Sequence, residues 1–369
     1  MAEKTRRRKA EHINISLNHN VQAREVTTGF EDVLFVHRAL PEIDKQQIDL
    51  STTVFGHKFA APLMVGAITG GTHEATKINA TIAEAVEELG LGMGVGSQRA
   101  ALEDRKLEES FSVARKKAPT AFLIANIGGV QLVSGIGLKK VRRAVEMIEA
   151  DALAIHLNAL QETAQPEGQT NFEGILEKVV HIAEELEKPV IVKETGAGIA
   201  AEEAKKLEAA GVKGIDVSGA GGTSWAAVEY YRARELGDAS RQRIGNLFWD
   251  WGIPTAVSLV EASQTVNIPV IASGGIRNGV DMAKSLILGS SLTSLSQPVL
   301  RTAAKGSRET RDTLSLLMDE LRNVMFLTGA ASIEALHNAP VVVVGRTADW
   351  LRTRGFDVES YARRGRNYP

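Results

Sequence analysis

The sequence predicts an α/β fold of the (β/α)8, or TIM barrel, class. Eight short apolar or β-branched runs have the character of buried parallel strands, and amphipathic helical patterns separate them. Eight strands over roughly 240 residues match the size of such a barrel, whereas an open doubly wound sheet would have fewer strands. The predicted strands are residues 62–67, 91–97, 121–126, 152–157, 190–193, 214–218, 269–273 and 291–295.

The predicted helices lie between these strands, at residues 75–89, 103–117, 139–149, 172–186, 200–210, 254–266 and 279–288. One complete βαβ unit runs from Pro189 to Trp225 and places Lys193 at the end of its first strand. Ligands of parallel barrels bind at the carboxyl ends of the strands. We therefore expect Lys193 and the hydroxyls of Ser218 and Thr223 to face one mouth of the barrel.

Three segments follow from these patterns. Residues 1–55 lack a clean period and are interpreted as an N-terminal arm that packs over the barrel mouth. Residues 56–335 form the barrel, and residues 336–369 form a C-terminal extension that covers one face or contacts another subunit. The arm contains the basic run Arg6–Lys9. This run is either the solvated start of a helix or a clamp for a phosphate group.

Composition excludes several classes of protein. The chain has 369 residues, 44% hydrophobic and 24% charged, which is typical of a globular domain. A net charge of −2 argues against nucleic-acid binding. No apolar stretch of about 18 residues predicts a membrane span, and we expect a cytoplasmic protein. The absence of cysteine excludes disulfides, thiolate metal sites and thiol nucleophiles.

Polar side chains follow several strands. Ser97, Gln98 and Arg99 end the second predicted strand, and Asn126 ends the third. The fourth is the densest, with His156, Asn158, Gln161 and Glu162 within seven positions. His156 and Asn158 point the same way in an extended run. One carboxylate is a poor metal site by itself, but Glu162 together with substrate phosphates is a usual way to hold Mg²⁺.

The last two units predict a phosphate site. The seventh strand runs into Gly274, Gly275, Ile276 and Arg277, and the Ser296–Gln297 pair follows the eighth. Glycines expose backbone N–H groups, and a following helix adds its positive end. Barrels commonly bind phosphate at these two loops, although two ordinary βα turns would also explain the glycines.

The chain contains several specific motifs: the N-terminal Arg-Lys arm, GAITGGT at 66–72, GSQRA at 96–100, HLNALQE at 156–162, KETGAGI at 193–199, DVSGAGGTSW at 216–225 and GGIR at 274–277. Over about residues 5–360 these motifs resemble those of the type 2 isopentenyl-diphosphate isomerase family. The resemblance implies an FMN-containing barrel that interconverts isopentenyl and dimethylallyl diphosphate. It also implies a need for reduced flavin and Mg²⁺, NADPH as the electron source, and assembly as a homotetramer or homo-octamer.

The resemblance also implies residue roles. It assigns the flavin to Ala67, Ile68, Thr69, Ser97, Asn126, Lys193, Ser218 and Thr223, and its phosphate to Gly275, Ile276, Arg277, Ser296 and Gln297. It assigns the substrate diphosphate to Arg8, Lys9, Ser97, Gln98, Arg99, His156, Asn158 and Gln161, and Mg²⁺ to Glu162. Gln161, Lys193 and His156 are the catalytic candidates. One departure is that Ser294–Gln297 replaces the glycine that many flavin barrels have near the end of strand eight.

The implied reaction is compatible with a chain that lacks thiols. Moving the double bond requires a proton added at C4 and one removed at C2. Reduced flavin can stabilise positive charge and exchange a proton at N5 without net redox change. Lys193 would hold the anionic reduced form. Gln161 would orient the alkene or relay protons, as a helper to the flavin.

Two other readings remain open on the residues alone. An FMN oxidoreductase of the hydroxy-acid oxidase or dihydroorotate type would share the barrel and the phosphate site, but it would need a cationic or thiol base beside the flavin. After the isomerase and the oxidoreductase, the third possibility is a non-catalytic flavin- or phosphate-binding subunit, or a Schiff-base lyase that uses Lys193. Borohydride trapping of a keto substrate on Lys193 would support the lyase.

The Gln161→Asn variant tests the helper role. We expect reduced turnover with unchanged FMN binding, because the shorter side chain moves the amide away from the alkene. Steady-state kinetics and flavin titration measure the two quantities. An unchanged kcat would remove Gln161 from the mechanism.

Overall fold

The computed structural model describes residues 2–365, with side chains from residue 7 onward. It begins with the long helix α1 (Ala2–Asn18), followed by strand β1 (Val33–Phe35) and the hairpin β2–β3 (Thr52–Val54 and His57–Phe59). Two 3-10 turns, Phe30–Asp32 and Lys45–Gln47, lie between them. The sequence showed no clean period here because the buried apolar residues of α1, Ile13 and Ile15, occur only in its second half. The side chain of Arg6, the first residue of the predicted basic run, lies outside the described residues.

Eight parallel strands form a closed barrel, and the predicted fold class is confirmed. Neighbouring strands pair in sequence order, and the last pairs with the first. Most strand residues are buried on both faces, which explains their nearly continuous apolar character. The strands are β4 (Leu63–Val65), β5 (Gly92–Gly94), β6 (Phe122–Gly128), β7 (Ala152–His156), β8 (Val190–Lys193), β9 (Gly214–Asp216), β10 (Val270–Ser273) and β11 (Leu292–Leu295).

Helices connect the strands and surround the barrel. Between β4 and β9 these are α2 (His73–Leu89), α3 (Arg99–Glu103), α4 (Glu109–Lys117), α5 (Gly129–Val133), α6 (Leu138–Met147), α7 (Ala159–Ala164), α8 (Ile175–Glu185) and α9 (Ala201–Ala209), with a 3-10 turn at Arg105–Leu107. After β9 follow α10 (Trp225–Glu235), α11 (Ala239–Leu247), α12 (Thr255–Ser263), α13 (Gly279–Ile287), α14 (Gln297–Ala303) and α15 (Ser307–Thr328). Within residues 2–365, no helix combines the length and apolar character that crossing a membrane requires.

Helices α10 and α11 were not predicted from the sequence. They form an insertion between β9 and α12, and α1 packs against α10 at the barrel mouth. The helical period of α10 is weak because its buried positions include the charged residues Glu229 and Arg232 beside small alanines. A charged residue at a buried position removes the hydrophobic signal on which a periodicity argument depends.

The chain ends with α16 (Ile333–His337), β12 (Val341–Val343), α17 (Gly345–Thr353) and α18 (Glu359–Arg363). Strand β12 pairs antiparallel with β1, with Val33 opposite Val343 and Phe35 opposite Val341. The segments before and after the barrel are therefore joined by a two-stranded sheet.

The β2–β3 hairpin closes the amino-terminal end of the barrel. Phe59 is fully buried, and the Phe55 and Phe122 rings stack with centroids 5.8 Å apart. Phe122 is the first residue of β6, which places this aromatic cluster at the bottom of the barrel. Ligands must therefore enter at the opposite, carboxyl end of the strands.

Candidate active site

A cavity lies at the carboxyl ends of the strands, and α1 covers it. Most of the predicted site residues line it: Arg8, Lys9, Ala67, Ile68, Thr69, Ser97, Arg99, Asn126, His156, Asn158, Gln161, Glu162, Lys193, Ser218, Thr223, Ser296 and Gln297. Other lining residues were not predicted as site residues: His12, Ile13, Ser16, Gly96, Gln131, Gln165, Thr195, Trp225 and Leu300. The predicted residues Gln98, Gly275, Ile276 and Arg277 do not line it.

Gln98 is a correction to the predicted diphosphate contacts. Its side chain is fully buried. The Nε2 group donates to the Ala144 carbonyl at 2.8 Å, and Oε1 accepts from the Asn126 backbone N–H at 2.9 Å. The amide is therefore committed to joining β6 and α6. The sequence could not distinguish it from its neighbours Ser97 and Arg99, because the turn after β5 directs adjacent side chains to different sides.

The predicted phosphate residues Gly275, Ile276 and Arg277 lie beside the cavity, in the loop after β10. A Cβ atom on Gly274, whose φ is 100°, would be 2.2 Å from the Gly219 carbonyl oxygen. The glycines therefore permit the close approach of two neighbouring loops. The Ile276 side chain is buried in the core, so only its backbone is available to a phosphate. At the start of α14, the buried Nε2 of Gln297 has no hydrogen-bond partner.

Three cations form one wall of the cavity. Lys9 donates its ammonium group to the Ser97 carbonyl, Arg8 lies 3.7 Å from Glu167, and Arg99 pairs with Glu103 at 2.9 Å. Burial, followed by the charges of Arg8 and Arg99, lowers the pKa of Lys9 to about 7. A partly buried cluster of like charges is expected to bind a polyanion.

The Glu162 carboxylate lines the same cavity and interacts electrostatically with Arg8. Asn158 Nδ2 donates to Gln161 Oε1 and to Glu162 Oε1, each at 3.1 Å. The second oxygen of Glu162 accepts from Gln165 Nε2 and from the Gln169 backbone. The buried Oδ1 of Asn158 has no partner. Among residues 2–365 no cluster of three or more carboxylate or histidine side chains could hold a metal ion, so a cation here would need additional oxygen ligands from a substrate.

His156 is held as a neutral ring. Burial, with the nearby charges of Lys193, Lys9 and Arg8, lowers the pKa of His156 to about 3. Its Nδ1 lies 2.8 Å from Asn126 Oδ1, and Asn126 Nδ2 donates to the Val95 carbonyl. Because the Asn126 oxygen must accept, the network assigns the proton to Nδ1 and leaves Nε2 as an acceptor.

Lys193 ends β8 beside two buried acids. Its Nζ donates to the Glu194 carbonyl at 2.5 Å. The Glu194 carboxylate accepts from the backbone N–H groups of Thr195, Gly196 and Ala197, and burial raises its pKa to about 7. Asp216, in the next strand, accepts from the Ser273 hydroxyl, and burial raises its pKa as well. These acids fix the strand ends around the lysine.

Glu229 is the most buried acid near the cavity, and it was not predicted from the sequence. Its Oε1 lies 2.9 Å from His12 Nε2 and accepts from Gln161 Nε2 at 3.2 Å, while Arg232 donates to Oε2 at 2.6 Å. Burial alone would raise the pKa of Glu229, but His12 and Arg232 lower it to about 2. Arg232 also pairs with Glu11 and Glu167. The carboxylate thus connects the arm, Gln161 and α10.

Local signals for the missed residues were present but weak. His12 follows Arg8 and Lys9 by about one helical turn, so a helical arm would place it on the same side. Trp225 ends the DVSGAGGTSW motif. Glu229 is an acid within an apolar stretch of α10, which signals a buried partner only once the helix is known.

Comparisons with known proteins concern the family and the fold of the chain. The sequence profile of the FMN-dependent dehydrogenase family matches residues 1–124 and 147–343. The isopentenyl-diphosphate delta-isomerase of Methanosarcina barkeri is 50% identical over 368 residues, covering 100% of both chains. The enzyme of the same name from Pyrococcus furiosus is 49% identical, covering 97% of this chain and 91% of its own.

Solved structures of two oxidases share the fold. A putative lactate oxidase of Pediococcus acidilactici superposes with a TM-score of 0.62 at 20% identity, over 93% of this chain and 94% of its own. Mandelate oxidase with (S)-2-phenylpropionate gives a TM-score of 0.61 at 20% identity, over 93% and 98%. At this level of identity the likeness concerns the barrel and not the chemistry.

The Glu229→Gln variant tests the network that holds the arm. The amide keeps an oxygen for Gln161 and His12 but loses the charge that pairs with Arg232. We expect a folded barrel whose arm trypsin cleaves about five- to tenfold faster at Arg7–Lys9, because breaking a buried ion pair favours local opening. The matched control is Glu235→Gln, at the exposed end of the same helix. Wild-type cleavage rates for Glu229→Gln would contradict the assignment.

Proposed function

The chain belongs to the isopentenyl-diphosphate delta-isomerase family, and on this premise we propose that it interconverts isopentenyl and dimethylallyl diphosphate with reduced FMN and Mg²⁺. The observation that carries the proposal is the combination of charges in one cavity. Arg8, Lys9 and Arg99 line it together with Glu162, whose carboxylate accepts from Asn158. A diphosphate with a divalent cation matches both charges.

The residues at the mouth fit FMN. Ala67, Ile68, Thr69, Ser97, Asn126, Lys193, Ser218 and Thr223, which line the cavity, would hold the flavin ring and ribityl chain. Ser296 and Gln297 at the cavity, with Gly275, Ile276 and Arg277 in the loop beside it, would hold its phosphate. The unpartnered buried Nε2 of Gln297 and the close glycine loops support this placement. Bound in its reduced form, FMN supplies an electron-rich ring and an exchangeable proton without net redox change. We propose NADPH as the reductant.

The diphosphate would contact Arg8, Lys9, Arg99, Ser97, His156 and Asn158. Glu162 would hold Mg²⁺ together with the substrate oxygens, and the unpartnered Oδ1 of Asn158 is a second oxygen that fits a hard cation. The cation would neutralise diphosphate charge at the carboxylate. Gln98 is omitted from this set because its amide is committed elsewhere.

The rest of the cavity suits an allylic proton shift. The side chains of Ile13, Ile68, Trp225 and Leu300 exclude water from the hydrocarbon part of the substrate. Gln161 is fixed from two sides, by Asn158 and Glu229, so its amide can orient the alkene. The ammonium group of Lys193 would stabilise an anionic ring beside it. The chain thus positions the substrate and holds charge, and it contains no thiol that could serve as an acid or base.

We further propose a cytoplasmic homotetramer or homo-octamer. Leu247 and Trp251 are 74% and 63% exposed, and the Trp251 ring contacts the ring of Phe248. Exposed apolar clusters of this kind commonly mark subunit contacts.

The direct test is anaerobic turnover in D₂O. Purified protein with dithionite-reduced FMN, Mg²⁺ and isopentenyl diphosphate should yield dimethylallyl diphosphate with deuterium at C2 or C4, while the flavin spectrum stays reduced. Chelation of Mg²⁺ is the matched control. No turnover, together with reduction of oxidised flavin by a hydroxy acid, would instead establish an oxidoreductase.

The pKa of Lys9 predicts proton uptake on substrate binding. A diphosphate beside the amine favours its charged form and raises the pKa above about 7. Below pH 7 the Lys9 amine is charged in both the free and the diphosphate-bound protein. Above pH 7 the free amine is neutral, so diphosphate binding must take up a proton. The affinity for the diphosphate should therefore fall as pH rises. Isopentenyl diphosphate is titrated calorimetrically at pH about 8 into the air-oxidised protein, which does not turn over. The difference in binding enthalpy between two buffers of different ionisation enthalpy gives the number of protons taken up.

Lys9→Met should remove this proton uptake, and Lys139→Met, at an exposed position of α6, should not. Equal uptake in wild type and Lys9→Met would assign the titration to another group.

A further inference from the structure

The segment that follows α1 packs against two glycine-containing loops beside the cavity, one after β9 and one after β10. Ala23 N donates to the Gly222 carbonyl, and Ser224 N donates to the Val21 carbonyl, both at 2.8 Å. A Cβ on Gly275 would be 2.3 Å from the Thr28 methyl group. The arm therefore reaches the loops after β9 and β10 as well as the cationic wall.

Gln22 lies at the centre of this contact, and part of its amide is unused. Its Oε1 accepts from Arg277 Nη2 at 2.7 Å, and its backbone carbonyl accepts from Trp249 Nε1 at 2.8 Å. Its Nε2 is buried and has no hydrogen-bond partner within the described chain. A buried N–H group without a partner destabilises the folded protein unless a ligand accepts from it.

Arg277, the partner of Gln22, has no anionic partner of its own among the described side chains. Its guanidinium donates to the Ile276 carbonyl and to Gln22, and among residues 7–365 no carboxylate forms a salt bridge with it. Burial lowers the pKa of Arg277. The negative charge of Asp281 raises this pKa, and the positive charge of Arg301 lowers it further. A half-buried cation beside an unpaired amide N–H is the arrangement expected around an anion.

We propose that Gln22 donates its Nε2–H to the phosphate group of FMN, with Arg277 as its neighbour, so that the N-terminal arm is part of the cofactor site. The inference rests on the proposed function, because it requires FMN at this mouth. It adds a ligand from outside the barrel, four residues beyond the end of α1. One segment then contacts the cofactor phosphate through Gln22 and lines the substrate cavity through Arg8 and Lys9.

The test compares FMN with riboflavin, which lacks the phosphate. Apoprotein is titrated into each flavin, and fluorescence quenching gives the Kd. Gln22→Leu should weaken FMN binding about 10- to 100-fold, the usual effect of losing a hydrogen bond to a charged group. Riboflavin binding should stay within about twofold and reports that the ring site is intact.

Two further variants sharpen the comparison. Gln22→Glu places a negative charge beside the phosphate, so it should weaken FMN more than Gln22→Leu does and again spare riboflavin. Gln47→Leu is the matched control, because Gln47 is an exposed glutamine of the same arm. The Kd of riboflavin is also measured with inorganic phosphate present. Tighter riboflavin binding under this condition would show that free phosphate occupies the position of the FMN phosphate, and it would support Gln22 and Arg277 as its donors.

Three outcomes overturn the inference. Equal loss of FMN and riboflavin would show that Gln22 acts only by holding the arm. Unchanged FMN affinity in both Gln22 variants would show that it does not reach the phosphate. If the wild-type apoprotein does not prefer FMN to riboflavin, the cofactor in the proposed function is wrong, and this result is distinct from a failure of Gln22 alone.

Discussion

Closure of the parallel barrel is the constraint on which the rest of the structure depends. Because strands β4 to β11 pair in one direction and the last pairs with the first, all eight carboxyl ends meet at one mouth. Side chains far apart in sequence, such as Thr69 and Gln297, therefore line one cavity. The aromatic hairpin packs across the other end, so the polar strand ends lie at the end where ligands of parallel barrels bind.

Burial of charge is the second constraint, and it joins the arm to the barrel. Glu229 is fully buried, and an unpaired carboxylate at such a position would destabilise the fold by roughly 3–5 kcal/mol. Its partners come from three elements, with His12 on α1, Gln161 on α7 and Arg232 on α10. The position of the arm and the orientation of Gln161 therefore depend on each other. At the cavity, the like charges of Arg8, Lys9 and Arg99 lie close together, and each side chain also contacts an oxygen of Glu167, Ser97 or Glu103, respectively.

The strands and most helices could be predicted because apolar periodicity is a local property of the chain. The insertion of α10 and α11 could not, because buried Glu229 and Arg232 interrupt the apolar pattern that would have marked the helix. The same limit applies to adjacent residues at one strand end. Ser97 and Arg99 line the cavity whereas Gln98 is turned into the core, and Ile276 offers only its backbone. The direction in which each of these side chains points depends on the conformation of its loop, and that conformation is set by contacts with neighbouring loops.

By itself the sequence determined the barrel class, the eight strands and the set of polar residues that follow them, because strand and helix periods and the residues at strand ends can be read from short stretches. Only the tertiary structure decided which of these residues face the cavity, that Glu229 lies at the centre of the arm contact, and that Gln22 meets Arg277. These outcomes depend on barrel closure and on the removal of charged groups from water, and both involve residues that are far apart along the chain.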